Sequence, residues 1–405
     1  MKKHLNIIHL HIVYHNYTTG IDRYLEMFGK GITDSDIKIH KVFLLNNKKL
    51  LPEIGINDND ELSALIPLPQ DEKLLFHDFF WKNKYFNVVY ELVSLYLENM
   101  ENKIFQYHNL FLSDLALHLK SKTGGKVITH LHCLPWKFSS DNNPPVFNRL
   151  YQLYSDKKYK EFKEFESSKT EYASSDMIIA LSEAAKRYLI NIHDVHIEKI
   201  KIVPNGLENK ALTRNSVREQ TVILYVGKIS RDKGTFNLLK ALKTVKGEGY
   251  DFKLVLAGTI SDANKIRIRN DYRMLDIDIL GEVDFIKLQE LYSSCTIGII
   301  PSLHEQCSYV ALEMAMFGVP MIVSKVDALG EMFEHEKTAL LTPLVFDRDF
   351  GLSHDNEKFA ENIIRLLSDK NMREKLSMNV KSLYERDYTL KKMIERTMDI
   401  YRQLI

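Results

Sequence analysis

The chain has 405 residues, 45% of them hydrophobic, enough apolar material for two or three domains each with its own core. Its 55 basic and 54 acidic residues leave a net charge of +1 with no dominant block of like charge, so the balance gives no case for a nucleic-acid partner. No run approaches the ~18 consecutive apolar residues of a membrane-spanning helix. Three scattered cysteines make neither a disulfide framework nor metal-type spacing, which points to a reducing, cytoplasmic compartment. Taken in order, MKKHLNIIHLHIVYHN is broken by polar residues and followed by no cleavage site, so it reads as a first strand. Loop and helix follow in YTTGIDRYLEMF (17–28), then strands near 37–45, 104–107, 126–132 and 176–181, the last leading into the helix SEAAKRYL (182–189). This is α/β alternation.

Several stretches between these elements carry two readings. LLFHDFFWKNKYFNVVY (74–90) is dense in aromatic residues and is expected to pack into a core, the competing reading being an acceptor or membrane-facing surface. KVITHLHCLPW (126–136) places His130 and His132 on one side of a strand. As a metal pair they lack a third ligand nearby; otherwise they are a structural pair. LPWKFSSDNNPPVF (134–147) is the better candidate for an acceptor-side lid, and KKYKEFKEFESSK (157–169) reads as a solvated helix face. The Pro-Asn-Gly turn in KIKIVPNGLE (199–208) marks a break.

The alternation restarts with TVILYVGKISRDKGTFNLLKAL (221–242), a strand, a Gly/Lys/Arg loop and a helix, and FKLVLAGT, DILGEV, CTIGIIPS and PMIVS supply further strands. The apolar spacing of YTLKKMIERTMDIYRQLI (388–405) predicts a packed terminal helix. The expected organisation is a domain over 1–206, a second over 207–386 and a helix over 387–405 returning to the first, with two doubly wound domains facing across a deep cleft.

The densest chemistry lies in HEQCSYVALEMAMFGVP (304–320). Ser308 is a helix cap, the helix runs over 309–317, and Gly318 with Pro320 stops it. Glu305 then lies in the loop and Glu313 on the second turn, roughly 12 Å apart along the axis, too far to share a proton or a metal. The backbone N–H groups of residues 309–311 suit a phosphate between them. In VGKISRDKG (226–234), Lys228, Arg231 and Lys233 stand between Gly227 and Gly234, placed to neutralise a departing diphosphate; the alternative for Arg231 is a solvated loop. This is no Walker loop, and GKGITD (29–34) follows a helix, so it fails as a dinucleotide fingerprint. Cys307 is read either as a nucleophile needing a base or as a small loop residue. The Asp-x-Asp pairs (Asp34/Asp36, Asp58/Asp60, Asp276/Asp278, Asp347/Asp349) would suit a metal-bound diphosphate, but they fall mostly in turns, and chance produces them readily.

VGKISRDKG, VPNGLE, IALSEAAKRYL and PSLHEQCSYVALEMAMFGVPMIVS together resemble the retaining nucleotide-sugar glycosyltransferases of family four, with their two-Rossmann GT-B fold and Glu-x7-Glu motif. The resemblance implies that Glu305 contacts the transferred sugar and Glu313 the donor ribose. Lys228, where the family usually has arginine, and Lys233 would hold the diphosphate. It implies that His132 stands near the donor sugar, and that Gly20, with Thr19 replacing the family's other glycine, approaches the diphosphate. Gly227, Arg231, Val283, Cys307, Ser308, Tyr309 and Val310 would complete the donor side. EQCS departs from the small, glycine-rich loop that often follows the first glutamate, and Gln306 offers an amide to a sugar hydroxyl or to solvent. The implied activity is metal-free transfer of a hexose or N-acetylhexosamine from a nucleoside diphosphate sugar, UDP-linked, to a glycan, lipid or peptide acceptor, with no cofactor and with peripheral membrane contact open. The alternatives are a catalytically silent binding partner of the same fold and a nucleotide-sugar epimerase.

Overall fold

The structure, a computed structural model, describes residues 4–14, 19–32, 36–46, 51–69, 79–109, 112–134, 151, 160–211, 220–347 and 351–405. The chain divides into two compact units. One comprises Met1–Trp136, Ser155–Val203 and Met393–Ile405, and the other is built around Pro204–Lys392.

The first unit carries an eight-stranded sheet. Its strands are β1 (Leu5–Tyr14), β2 (Ile37–Asn46), β3 (Glu53–Ile56), β4 (Leu62–Pro67), β5 (Lys103–Tyr107), β6 (Lys126–Leu131), β7 (Met177–Ala180) and β8 (Ile200–Ile202). Their order is β3-β4-β2-β1-β5-β6-β7-β8, parallel throughout except for the β3–β4 hairpin. Chain order runs outward from β1 through β2 and then returns to β5 on its other side, so the topological switch point lies between β1 and β5. β1 and β5 are buried on both faces, and their polar residues Asn6, His9, His11, Lys103 and Gln106 are buried with them.

The second unit has a fully parallel sheet of six strands: β9 (Val222–Val226), β10 (Lys253–Ala257), β11 (Asp276–Gly281), β12 (Ile297–Ile300), β13 (Met321–Ser324) and β14 (Leu340–Thr342). The order β11-β10-β9-β12-β13-β14 puts its switch point between β9 and β12. Apolar faces of the helices Thr235–Gly247 and Asn356–Ser368 close the core over Ile223, Leu254, Leu256 and Ile297. Gly298 in β12 has a packing reason: a Cβ there would meet Met314 Sδ at 2.5 Å, so glycine lets the helix Tyr309–Met316 lie close on the strand.

Three sequence expectations change. The aromatic stretch is a helix, Phe79–Leu97, in which Phe86 and Val89 are core but Phe80 and Trp81 are about half exposed, because the helix buries one face only. DILGEV contributes a strand only to Gly281, leaving Val283 half-buried in the following loop. The β3–β4 hairpin was not foreseen. The expected acceptor-side lid from residue 135 onward lies outside the described residues, as do Asp34 and Asp349. Among the described residues, no helix is long and apolar enough to cross a membrane.

Candidate active site

The two loops that follow β9 and β12 meet at the carboxyl edge of the second sheet, where an open parallel sheet offers its ligand crevice. They are bound together at Gly234. Its φ of +67° is left-handed, and a Cβ there would sit 1.7 Å from the carbonyl oxygen of Pro301, so only glycine fits. Leu303 N–H also donates to Asp232 O at 3.0 Å. The contact brings the cationic loop against the acidic one. Lys233 Nζ donates to Glu305 Oε2 at 2.9 Å, and this carboxylate raises the ammonium's pKa against the opposing effect of burial. Lys228 and Arg231 on the same loop are exposed.

Ser308 caps the next helix as expected, its Oγ accepting from Ala311 N–H at 3.2 Å. That corrects one expectation: the N–H of residue 311 is engaged by the cap and is not an open anion donor. Tyr309 and Val310, the first two helical residues, are half-buried at this end. Glu313 is 1% exposed, and its Oε2 accepts from the Tyr292 hydroxyl at 2.6 Å. Cys307 is buried, and desolvation pushes its thiol up to about 12, which removes the nucleophile reading because the thiolate is the reactive form. Its backbone carbonyl instead accepts from Asn205 Nδ2 at 3.2 Å, tying VPNGLE to this loop.

Other partners of this loop left no local signal in the sequence. Asp327, itself in a left-handed conformation at φ +40°, accepts from His304 Nδ1 at 2.8 Å, bracing the residue next to Glu305 from the loop after β13. Gln306 is 4% exposed and neither amide atom has a hydrogen-bond partner among the described residues, so it does not face solvent. Of the Asp-x-Asp residues, Asp278 pairs with Lys253 at 2.7 Å and Asp60 with Lys38 at 3.1 Å.

His132 and Gly20 belong to the first unit. Gly20 opens the helix Gly20–Gly31, and among the described residues a Cβ there would meet nothing within 4 Å. Thr19, standing for the second glycine, forms a capping box with Asp22. His130 and His132 face one side, as the strand requires, with rings stacked 4.3 Å apart at 10°. The expectation that no third ligand lies nearby was wrong: one nitrogen each from His108, His130 and His132 lie within 4.8 Å of one another, because β5 pairs β6 and carries His108 to the same level.

Residues 59–210 match the family described as Glycosyltransferase Family 4, and residues 211–383 that described as Glycosyl transferases group 1. An uncharacterised glycosyltransferase of Methanocaldococcus jannaschii is 27% identical over 249 residues, 56% of this chain and 60% of that protein. The capsular polysaccharide biosynthesis glycosyltransferase CapM of Staphylococcus aureus is 24% identical over 56% of this chain and 62% of its own length. The match thus spans about three-fifths of these relatives. Among solved structures, sucrose-phosphate synthase of Thermosynechococcus elongatus superposes with a TM-score of 0.76 at 18% identity, over 98% of this chain and 99% of that one. Anabaena HepE in complex with UDP gives 0.70 at 14% identity, over 99% and 100%. With two parallel α/β units and these matches on successive halves, the chain belongs to the glycosyltransferases of GT-B fold, family 4 in type over its first half and group 1 over its second.

Proposed function

We propose that the protein transfers a hexose or N-acetylhexosamine from a UDP-linked sugar to an acceptor hydroxyl on a glycan, lipid or peptide, with retention of anomeric configuration and without a metal. The observation that carries this reading is the Lys233–Glu305 pair at the β9/β12 switch point, with the buried Glu313 on the helix that starts from the same loop. A nucleotide sugar is long enough to span those two carboxylates, Glu313 holding the ribose and Glu305 the sugar. Anabaena HepE, of the same fold, is solved with UDP and with UDP-glucose, which supports the choice of base.

In this reading the incoming diphosphate takes Lys233 over from Glu305, freeing the carboxylate to accept from sugar hydroxyls. Lys228 and Arg231 add cationic charge from the exposed part of the loop, and Gly227, Ser308, Tyr309, Val310, Cys307 and Val283 shape the donor side. As the glycosidic bond breaks, negative charge grows on the leaving diphosphate, and fixed cations placed there lower the barrier because they need no reorganisation. The departing phosphate oxygen takes the acceptor's proton on the face it leaves, so the configuration is kept and no separate base is needed. His132 and Gly20 are the residues of the first unit that this reading assigns to donor binding.

A panel of nucleotide sugars, screened by thermal shift and followed by mass spectrometry of products, tests the proposal. Stabilisation by one UDP-sugar with transfer of its glycosyl group is the expected result. Stabilisation without transfer or hydrolysis would mean a silent binding protein, and a changed sugar on UDP an epimerase.

A further inference from the structure

Three imidazoles of the first unit form a hydrogen-bonded chain. His9 Nδ1 lies 2.9 Å from His108 Nε2, and His108 Nδ1 lies 3.0 Å from His132 Nε2. His9 is in the middle of β1, His108 directly follows β5 and His132 directly follows β6, so the sheet order β1-β5-β6 lays them in line across the switch point. Aromatic side chains of the helix Gly20–Gly31 hold the rings in place: Phe28 packs edge-on against His9 at 5.3 Å, and Tyr24 lies 5.3 Å from His132.

A neutral imidazole carries one proton, on one nitrogen, and uses the other as acceptor. Two contacts in series therefore couple all three rings. Either every proton is on Nδ1, each ring donating toward His132, or every proton is on Nε2, each donating toward His9. The inner end decides between them. His9 Nε2 is buried and has no hydrogen-bond partner among the described residues. A bare acceptor is the more tolerable orphan there, since buried N–H groups without a partner are rarer in native proteins than under-satisfied acceptors. The outer end then carries Nδ1–H on His132, the half-buried ring of the three, and this nitrogen has no partner among the described residues. Burial first, and the neighbouring basic groups second, hold His9 down to about 3 and His108 well below the usual histidine range, so the rings keep a single proton each near neutral pH.

We propose that His9 and His108 are positioning residues that fix the tautomer of His132, so that it presents Nδ1–H as a hydrogen-bond donor to an oxygen of the sugar donor. The second half of this statement rests on the proposed placing of His132 at the donor. The competing use of the cluster is a cation held by His108, His130 and His132, and the geometry disfavours it. The His130 and His132 rings are nearly parallel, so their in-plane lone pairs do not converge on one point as tetrahedral ligation requires. His130 Nδ1 is also occupied, accepting from Gln106 Nε2, an amide whose orientation is set by Tyr401 Oη–H donating to its oxygen.

The test is two-bond 1H–15N correlation NMR on protein labelled with 15N-histidine, which distinguishes Nδ1–H from Nε2–H rings. The expected wild-type spectrum shows His132 as Nδ1–H. His108→Phe, which keeps a ring and removes both nitrogens, should release His132 to a mixture of tautomers and raise the donor KM about two- to tenfold, the value of one hydrogen bond. His108→Asn keeps an amide N–H near the Nδ1 position and should restore both. A wild-type His132 in the Nε2–H form, or a tautomer indifferent to His108→Phe, overturns the proposal. So does equimolar Zn2+ binding by titration with loss of the histidine N–H signals. Should His108→Phe fail to fold, the wild-type spectrum decides alone. An Nδ1–H His132 whose replacement by alanine leaves donor KM and kcat unchanged would refute the donor placing while leaving the tautomer assignment standing.

Discussion

Replacing Gln306 by leucine should make the protein more stable. The side chain is 4% exposed and neither its oxygen nor its nitrogen has a hydrogen-bond partner among the described residues, so folding strips two polar atoms of water without a bond from those residues in return. Each such group costs about 1–3 kcal/mol. Leucine is close in volume and would exchange that cost for apolar burial, but its branched shape will not repeat the amide's packing, so the net gain is set at about 1–3 kcal/mol in total. For a unit of roughly 190 residues that gain raises Tm by about 2–12 °C, at about 2–4 °C per kcal/mol. Trp81 lies in the other unit, so calorimetry or circular dichroism is used in place of intrinsic fluorescence. Thermal stabilisation by the preferred nucleotide sugar should shrink in the same variant if the amide beside Glu305 recognises the sugar. A loss of stability of more than about 1 kcal/mol would show that the amide is satisfied in solution and refute the reasoning.

Lys233→Ala should lower kcat about 100- to 1,000-fold, the usual effect of removing one preorganised group that stabilises developing charge, and raise donor KM by a smaller factor; a change confined to KM would reassign the lysine to ground-state binding alone. Glu313→Ala should raise the donor dissociation constant at least tenfold while slowing bound-donor chemistry less, whereas Tyr292→Phe, removing only the bond to Glu313, should cost about two- to tenfold, as isothermal titration with UDP would show. Acid should destabilise the first unit well above the carboxylate range. His9 is about 3 when folded and 6.5 when unfolded, so the unfolded chain binds the extra proton and stability falls with pH below 6.5, by about 2 kcal/mol at pH 5 from this ring alone. Urea midpoints that do not move between pH 7 and 5 would contradict the buried, neutral cluster. Turnover should survive EDTA, and strict dependence on an added divalent cation would defeat the metal-free mechanism.

The second unit was readable because its elements declare themselves locally. β9, β12 and β13 are covered on both faces and so appear as short unbroken apolar runs, and Ser308 and Gly318 mark the helix ends by chemistry that acts within a few residues. The β3–β4 hairpin was invisible for the opposite reason: β3 is a four-residue edge strand, mostly exposed, with no apolar signature. The pairing of Lys233 with Glu305 spans 72 residues, and that of His9 with His108 spans 99. Such contacts are fixed by strand order, which no short window contains. That is why the cationic and acidic loops could be assigned to one site while the histidine chain, the Tyr292 bond and the Asp327 brace could not. Cys307 was left between two readings because its burial leaves no mark on the local sequence.

The fit of Gly234 against Pro301 has a practical corollary. Because no side chain can be inserted there, the lysine-bearing turn cannot be lengthened or re-aimed without carrying the neighbouring glutamate along with it. Anyone seeking a changed sugar preference should therefore leave that hinge point and Glu305 untouched and diversify Gln306, which makes no hydrogen bond to either among the described residues.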